Sequence, residues 1–140
     1  MDNNSATTFI DFRVVNISFA VKSDFHGSGQ ARVRTEFKLR HEYNDRRLQV
    51  FMLVTFDDVS APFSLEVEGA GLFETHAAQP SAALEKLTSG YCAQCIFPYL
   101  REVVADITRR AGFPPLHIPQ AAFHQALDTQ QNAVQPHTLH

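Results

Sequence analysis

The chain has 140 residues and a formal net charge of −3, with 44% hydrophobic and 19% charged residues. This length fits one domain, and this composition is that of a globular protein rather than a disordered one. The charge balance provides no overall basic field of the kind that binds nucleic acid.

No N-terminal segment joins a basic start to an apolar run, and no run of about 18 apolar residues occurs. The sequence therefore predicts neither a secretory signal nor a membrane span. We expect a cytoplasmic protein with a single domain over residues 1–140 and flexible ends at residues 1–7 and 132–140.

The first predicted element is a long strand that bends. Apolar residues alternate from Phe9 up to Val14, and the apolar set then changes parity and continues at Val15 and Ile17. Because strand side chains alternate with a period of two, a slip of one residue exchanges the two faces. The change of parity predicts a bulge or bend at Val14–Asn16.

A loop and a second strand follow. Asp24–Gln30 has two glycines and a serine, which are typical of a loop. Its Phe25 either packs onto the sheet or lines a binding groove. From Arg32 to Tyr43 apolar and charged residues alternate, so this segment is the clearest half-buried strand. Six of the 12 basic residues lie on or beside it, a pattern typical of a solvated face: Arg32, Arg34, Lys38, Arg40, Arg46 and Arg47.

The third strand is predicted at Leu48–Phe56, after a tight hairpin turn at Asn44–Arg46. One of its faces is continuously apolar. The opposite face carries Phe51 and Leu53, and these two large apolar residues need a cover from a helix or from a partner subunit.

The fourth strand begins at Phe63, and Gly69 and Gly71 are expected to weaken or bend its end. The connections between consecutive strands are short, which favours a four-stranded antiparallel meander. Helical patterns occur only after the strands, so the fold class is predicted as α+β, with one long and one short C-terminal helix packed on the sheet.

A first helical segment is predicted at Ser81–Ser89, with Ser81 as its cap and Gly90 as its end. The long helix then runs to about Arg110. If it starts near Ile96, Pro98 falls in the first turn, whereas a start at Tyr91 requires a kink at that proline. Apolar residues at spacings of four and three give this helix a stripe: Ile96, Leu100, Val103 and Ile107.

The long helix is expected to stop at Gly112, which two prolines follow. Pro119 then opens a short helix that ends near Gln131 and carries Phe123 and Leu127 on one side.

Cys92 and Cys95 form a CxxC pair. A redox pair of the thioredoxin type needs a βαβ context, and a structural zinc needs about four ligands, so buried or half-buried helix thiols are the favoured interpretation over redox or metal roles. No phosphate-binding loop, dinucleotide fingerprint or nucleophile elbow occurs. We expect no enzymatic activity, no cofactor and no metal.

Three segments resemble one known family. Tyr91–Ile118 contains FPY-x-RE and FPPL, Val67–Glu74 reads VEGAGLFE, and Asn16–Val21 reads NISFAV. Together they resemble SecB, the bacterial protein-export chaperone, and the similarity covers Thr8–Leu127.

The resemblance implies a homotetramer built as a dimer of dimers, with the long helix at the interface and with neither nucleotide nor metal. It also implies a holdase that binds unfolded precursor proteins in apolar grooves and delivers them to SecA. Core packing is the alternative role for each residue that the family pattern places in those grooves: Phe25, Val33, Phe37, Leu39, Phe123 and Leu127.

The predicted contact with SecA is Glu66, but this sequence departs from the family around it. The family has carboxylates on the first strand where this chain has Asn16 and Ala20, it has a leucine where this chain has Ser64, and its acidic tail has no counterpart here. A SecB-like chaperone with a dedicated client, such as the antitoxin of a toxin–antitoxin pair, is therefore the alternative. An unrelated enzyme or small-ligand module is a third class.

Overall fold

The computed structural model describes residues 7–22, 35–56 and 61–134, and for residues 129–134 it describes the backbone alone. These residues form a four-stranded antiparallel sheet and three helices. The helices are α1 (Ser81–Leu87), α2 (Ala93–Arg110) and α3 (Gln120–Val134), and the π-helical turn Thr88–Cys92 joins α1 to α2. Phe25 and Val33 lie outside the described residues. The strands are β1 (Thr7–Val21), β2 (Thr35–Asn44), β3 (Arg47–Phe56) and β4 (Phe63–Thr75).

The strands lie in the order β1-β4-β3-β2, so the first strand is next to the last. β2, β3 and β4 form the predicted meander, but the prediction of a meander through all four strands is wrong for β1. The connection from Val21 to Thr35 is long enough to cross the roughly 14 Å that three inter-strand spacings occupy. This is the order of a Greek key traced in reverse, and it places β1 and β2 at the two edges of the described sheet.

β1 bends where its apolar parity changes. Its pairing with β4 shifts between Val14 and Asn16, and it shifts again between Phe9 and Asp11. The shift at Val14 confirms the predicted bulge, because one extra residue moves all later side chains to the other face. The β1 residues that lie opposite core-facing residues of β4 are Phe9, Phe12, Val14, Ile17, Phe19 and Val21.

Two glycines of β4 let neighbouring elements approach the sheet closely. A Cβ atom on Gly69 would lie 2.6 Å from the ring of Phe12, and one on Gly71 would lie 2.8 Å from the side chain of Ile96. The strand continues past both glycines to Thr75, so the predicted weakening of its end is not observed. The glycines instead provide the space that Phe12 of β1 and Ile96 of α2 occupy.

Helical backbone runs without a break from Ser81 to Arg110. Gly90 lies inside the π-helical turn, so the prediction that it ends a helix is wrong. The predicted cap is also wrong, because the cap position is Pro80 and no side chain makes a capping hydrogen bond there. The packing of the buried residues Thr88 and Cys92 stabilises this turn by more than the roughly 1 kcal/mol that a glycine costs inside a helix. Pro98 is therefore an interior helix residue, where it removes one backbone hydrogen bond.

α2 ends at the predicted glycine. Gly112 has a φ of 96°, a left-handed conformation that glycine adopts without a steric penalty. The hydroxyl of the buried Thr108 donates to the carbonyl of Val104 at 3.0 Å and accepts the N–H of Leu116 at 2.9 Å. This residue therefore fixes the path of the chain after α2. The last helix opens after Pro119, as predicted.

The helices pack on one face of the sheet. β3 and β4 bury alternate residues on that face, and α2 covers them with a stripe that includes Ile96, Phe97 and Leu100. The buried cluster includes residues of β3, β4 and the three helices, so it is one continuous core. Within the described ranges, no helix has both the length and the hydropathy needed to cross a membrane.

The turn between β2 and β3 has two residues with positive φ, 52° at Asp45 and 65° at Arg46. These angles are typical of a type I′ turn, and they confirm the tight hairpin turn predicted at Asn44–Arg46. Aspartate adopts this conformation more readily than arginine does. The guanidinium of Arg46 donates to the carbonyl of His76 at 3.2 Å, which ties the hairpin to the segment after β4.

Alanine substitutions at Gly71 and at Gly90 should change the stability of the protein in opposite directions. Gly71→Ala forces a methyl group against Ile96 and Phe73, so we expect a loss of about 1–3 kcal/mol in the free energy of unfolding. Gly90→Ala is the matched control, because nothing lies within 4 Å of its added methyl group, and we expect a gain of about 0.5–1 kcal/mol. Urea denaturation measures both values. Equal stabilities for the two variants would contradict the close approach of α2 to β4.

Candidate functional site

Three aromatic rings meet where β2, α2 and α3 come together, and we call Phe37, Phe97 and Phe123 the three-ring cluster. Phe97 and Phe123 are stacked, with ring centroids 4.1 Å apart and planes 8° from parallel. Phe37 contacts both rings, at centroid distances of 6.2 Å from Phe97 and 5.9 Å from Phe123. Such aromatic pairs stabilise a contact by about 0.5–1.5 kcal/mol beyond the apolar area that they bury.

The strand and the two helices bring these rings together for simple reasons. Phe37 pairs with Val54 in the β2–β3 register, which places its side chain on the helix side of the sheet. Phe123 and Leu127 are four residues apart on α3 and therefore share one face of it. Gln120 and His124 lie 3.5 Å apart on an exposed part of α3 beside this face, and the His124 ring lies 5.5 Å from that of Phe123.

The predicted client-binding residues divide into two groups. Phe37 and Leu39 are half-buried and lie on the helix side of the edge strand β2. Phe123 and Leu127 are buried, with exposed fractions of 1% and 7%, and they belong to the core of the protomer. The sequence alone did not single out Phe97, although its position just before Pro98 in the resembling segment was a usable signal.

A hydrogen-bonded network covers the opposite end of the same β2 row. The hydroxyl of Tyr43 lies 2.8 Å from the hydroxyl of Thr75 and accepts the backbone N–H of Gln79 at 3.2 Å. The N–H of Thr75 also donates to the carbonyl of Arg46 at 2.9 Å. The segment that connects β4 to α1 is thus attached to the end of β2.

The outer face of the sheet, on which none of the described helices packs, carries both charged and apolar side chains. The guanidinium of Arg40 lies 3.8 Å from the ring centroid of Phe51, and it pairs with Glu42 at 3.3 Å and Glu68 at 3.7 Å. Arg40 therefore provides part of the cover that Phe51 and Leu53 were predicted to need. The positive charge of this strand residue is also partly balanced within the protomer.

The structure brings together the positions that matter for the predicted SecA contact. Glu66 is half-buried on the outer face of β4, opposite Ser18 of β1. Ser64 lies opposite Ala20, and Asn16 lies opposite Glu68, so all of these side chains share the outer face. The departures from the family pattern therefore fall around Glu66 on a single surface.

Most of the exposed large apolar residues in the described ranges lie on β1, and their exposure was not predicted from the sequence. Ile17 and Val21 are 48% and 55% exposed although they are on the helix side of the sheet, and Val14 lies in the same row. Tyr99 of α2, also exposed, stacks on Phe12 with centroids 5.0 Å apart. Since β1 is an edge strand of the described sheet, this row extends beyond the cover of α2. The periodicity of β1 was visible, but its place at an edge was not.

The two cysteines are free thiols. Cys92 is fully buried, and burial, with a smaller contribution from Cys95, raises the pKa of its thiol well above the ordinary value. Cys95 is half-buried and shares a hydrogen bond with Tyr91, whose pKa is raised mainly by burial. Both observations favour packed helix thiols, since the thiolate is the reactive form. Among the described residues, no three His, Cys, Asp or Glu side chains are placed to hold a metal ion together.

The fold resembles a solved structure of a chaperone. The SecB-like chaperone Rv1957 of Mycobacterium tuberculosis, in complex with a ChAD peptide from the Rv1956 HigA1 antitoxin, superposes with a TM-score of 0.73. The match covers 83% of this chain and 91% of that chain at 20% identity. This likeness confirms the predicted architecture of a four-stranded antiparallel sheet with one long and one short helix.

Relatives are also found by sequence. The protein-export protein SecB of Acidithiobacillus ferrooxidans is 40% identical over 77 residues, which are 52% of this chain and 51% of that protein. The protein-export protein SecB of Methylibium petroleiphilum is 30% identical over 119 residues, which are 85% of this chain and 64% of that protein. The chain thus spans about half the length of the curated relatives that it matches.

The family model described as preprotein translocase subunit SecB matches residues 16–134. This range begins at the bulge of β1 and ends with the last residue of α3, so it contains the second part of β1, the other three strands and all of the described helices. The chain therefore belongs to the SecB family.

Proposed function

We propose that the chain is an ATP-independent chaperone that binds unfolded precursor proteins and keeps them competent for export from the cytoplasm. The observation that carries the proposal is the half-buried apolar row of Phe37, Leu39 and Tyr43 at the β2 edge, in a chain of the SecB family. An unfolded polypeptide exposes apolar side chains and unpaired backbone groups. A protein that binds only this form shifts the folding equilibrium of the client towards it.

Phe123 and Leu127 can contact a client only when α3 leaves its position. The described contacts of α3 with the protomer are apolar, through Ala122, Phe123 and Leu127, while Gln120 and His124 pair with each other. A helix of 15 residues is only marginally stable by itself in water, so its docking depends on those contacts. In the proposed mechanism α3 undocks, and the client packs against Phe37 and Phe97, the other two rings of the three-ring cluster.

A change at the open row should weaken client binding without unfolding the protein. Phe37→Ser removes a half-buried ring from the row, so we expect about tenfold weaker binding of an unfolded client. The measurement is light scattering from the aggregating B chain of reduced insulin, without ATP and at a stoichiometric ratio. Lys38→Ser is the matched control, because the neighbouring side chain lies on the opposite face of β2.

The wild-type protein and the control should both suppress aggregation, and Phe37→Ser should suppress it less. If the wild-type protein does not slow the aggregation at all, the holdase proposal is wrong. If Phe37→Ser loses its fold, as circular dichroism would reveal, Phe37 is a core residue rather than a contact for clients.

Delivery to SecA is the second part of the proposal, with Glu66 as its contact. Glu66 and Glu68 supply carboxylates on the outer face, but Glu68 is paired with Arg40, and Asn16, Ala20 and Ser64 add no charge. The alternative, a chaperone with a dedicated antitoxin client, gains support from the antitoxin peptide bound to the similar Rv1957 chaperone.

A co-purification experiment separates these two roles. For export we expect SecA to be recovered with the wild-type protein and to be lost with Glu66→Lys, because the substitution reverses the charge of the proposed contact. Glu74→Lys is the control, since it makes the same change at the far end of β4. Recovery of one small antitoxin without SecA would favour the dedicated role and would contradict delivery to SecA.

We also propose a homotetramer, a dimer of dimers, in which the exposed row of β1 is part of a subunit interface. Val14, Ile17 and Val21 leave a large apolar surface in water beside the backbone edge of β1. An exposed apolar edge strand is a template for pairing with a second chain. Tyr99 on α2 extends the same surface towards the long helix.

Charges on that row should dissociate the assembly. Ile17→Asp with Val21→Asp places two carboxylates in the proposed interface, so we expect the mass measured by light scattering at micromolar concentration to fall towards the 15.7 kDa of one chain. Ser18→Asp changes the other face of the same strand and should leave the assembly intact. If the wild-type protein has the mass of a single chain, or if the doubly substituted variant remains a tetramer, this interface is wrong.

A further inference from the structure

The apolar row of β2 is covered at both ends by different parts of the chain. At one end Phe37 lies against Phe123 of α3. At the other end the backbone N–H of Gln79 reaches the hydroxyl of Tyr43 at 3.2 Å, so the segment 75–80 lies against the tip of the Tyr43 side chain there. Leu39 and His41, both half-buried, lie between these two covers, and we call this strip the β2 furrow. The π-helical turn Thr88–Cys92 also lies close to β2.

The two covers differ in how they are attached. α3 is docked through apolar side chains, whereas the segment 75–80 is fastened by hydrogen bonds. The Tyr43 hydroxyl oxygen accepts the backbone N–H of Gln79. When the Thr75 hydroxyl donates to the carbonyl of Arg46, the Tyr43 hydroxyl donates its proton to the Thr75 oxygen. The Arg46 side chain adds a further bond, to the carbonyl of His76.

The fastened cover has polar groups that would be costly to separate. Thr75 is buried and Tyr43 and Gln79 are half-buried, so breaking the network would leave their donors and acceptors without partners. The apolar side chains of an incoming polypeptide can replace the contacts of α3 directly, whereas its backbone groups would have to reproduce the geometry of every bond in this network. α3 is therefore the cover that a client displaces, and the segment 75–80 stays in place.

We infer that Tyr43 determines how long a client segment the β2 furrow accepts, because it holds the segment 75–80 as a fixed stop at one end. This rests on the proposed function, since it concerns the site at which the client binds. An extended client segment that runs along β2 must therefore leave the sheet before Tyr43. Tyr43 is a positioning residue for the client and acts through the segment that it holds.

The test is a footprint of a bound client. Reduced, carboxymethylated ribonuclease A is bound to the full-length chaperone, and hydrogen–deuterium exchange gives the length of each protected segment. Tyr43→Phe removes the hydroxyl that holds Gln79 and Thr75, so we expect the protected segment to lengthen by about two residues. This estimate follows because β2 continues only through Tyr43 and Asn44 beyond the stop, and an extended client advances along a strand residue by residue.

Two further variants make the result specific. Thr75→Val removes the partner of the Tyr43 hydroxyl without changing the furrow, and it should lengthen the footprint in the same way. Tyr91→Phe removes the hydroxyl of another half-buried tyrosine, which shares a hydrogen bond with Cys95, and it should leave the footprint unchanged. Hydrogen–deuterium exchange at residues 75–80 of the chaperone should increase in Tyr43→Phe and Thr75→Val but not in Tyr91→Phe.

The outcomes separate the inference from the proposed function. If the wild-type protein protects no segment of the client, the proposed function fails. If it protects a segment and neither Tyr43→Phe nor Thr75→Val changes the length of that segment, the role of Tyr43 is refuted while the proposed function stands. A loss of affinity at unchanged length would likewise refute a stop at Tyr43, because it would show a structural role only.

Discussion

The close approach of α2 to β4 is the constraint on which the rest of the structure depends. Ile96 occupies the space over Gly71, and Phe12 of β1 occupies the space over Gly69. Protein interiors tolerate little change in volume, so a side chain at either glycine would push the helix or the edge strand outwards. The seating of α2 at Ile96 also places Phe97, one residue later, beside β2 and α3.

The same packing explains why the two edges of the sheet have different surfaces. α2 lies over β4 and β3 and reaches β1 mainly near its start, where Tyr99 meets Phe9 and Phe12. The second half of β1 is consequently exposed, with Ile17 among its apolar residues. α3 and the π-helical turn lie beside β2 instead, and the segment after β4 contacts Tyr43, so the apolar row of β2 is only partly open. One edge thus carries the proposed interface with a second copy of the chain, and the other carries the proposed site for a bound polypeptide.

Local patterns predicted the parts of the fold that local forces determine. The change of apolar parity in β1 located its bulge, the turn residues located the Asp45–Arg46 hairpin, and Gly112 marked the end of α2. The position of β1 beside β4 was not predictable in this way, because it depends on pairing between distant segments. Gly90 failed as a stop signal, since tertiary contacts of the π-helical turn outweigh a small propensity term.

Local patterns also predicted part of the candidate site. The parity of β2 placed Phe37 and Leu39 on the correct face, and the spacing of four placed Phe123 and Leu127 together on α3. Periodicity reports which face of an element is apolar, but it does not report what covers that face. The burial of Phe123 and Leu127 and the exposure of the β1 row are properties of the assembled protomer, so they needed the structure.

The single sheet separates two surfaces by one layer of backbone. The furrow and the three-ring cluster lie on its helix side, and Glu66 lies on its outer side. A polypeptide held on one side and a second protein docked on the other would therefore not compete for space. Such a ternary complex could form before any cargo is released, and transfer from one protein to the other would not require an empty intermediate.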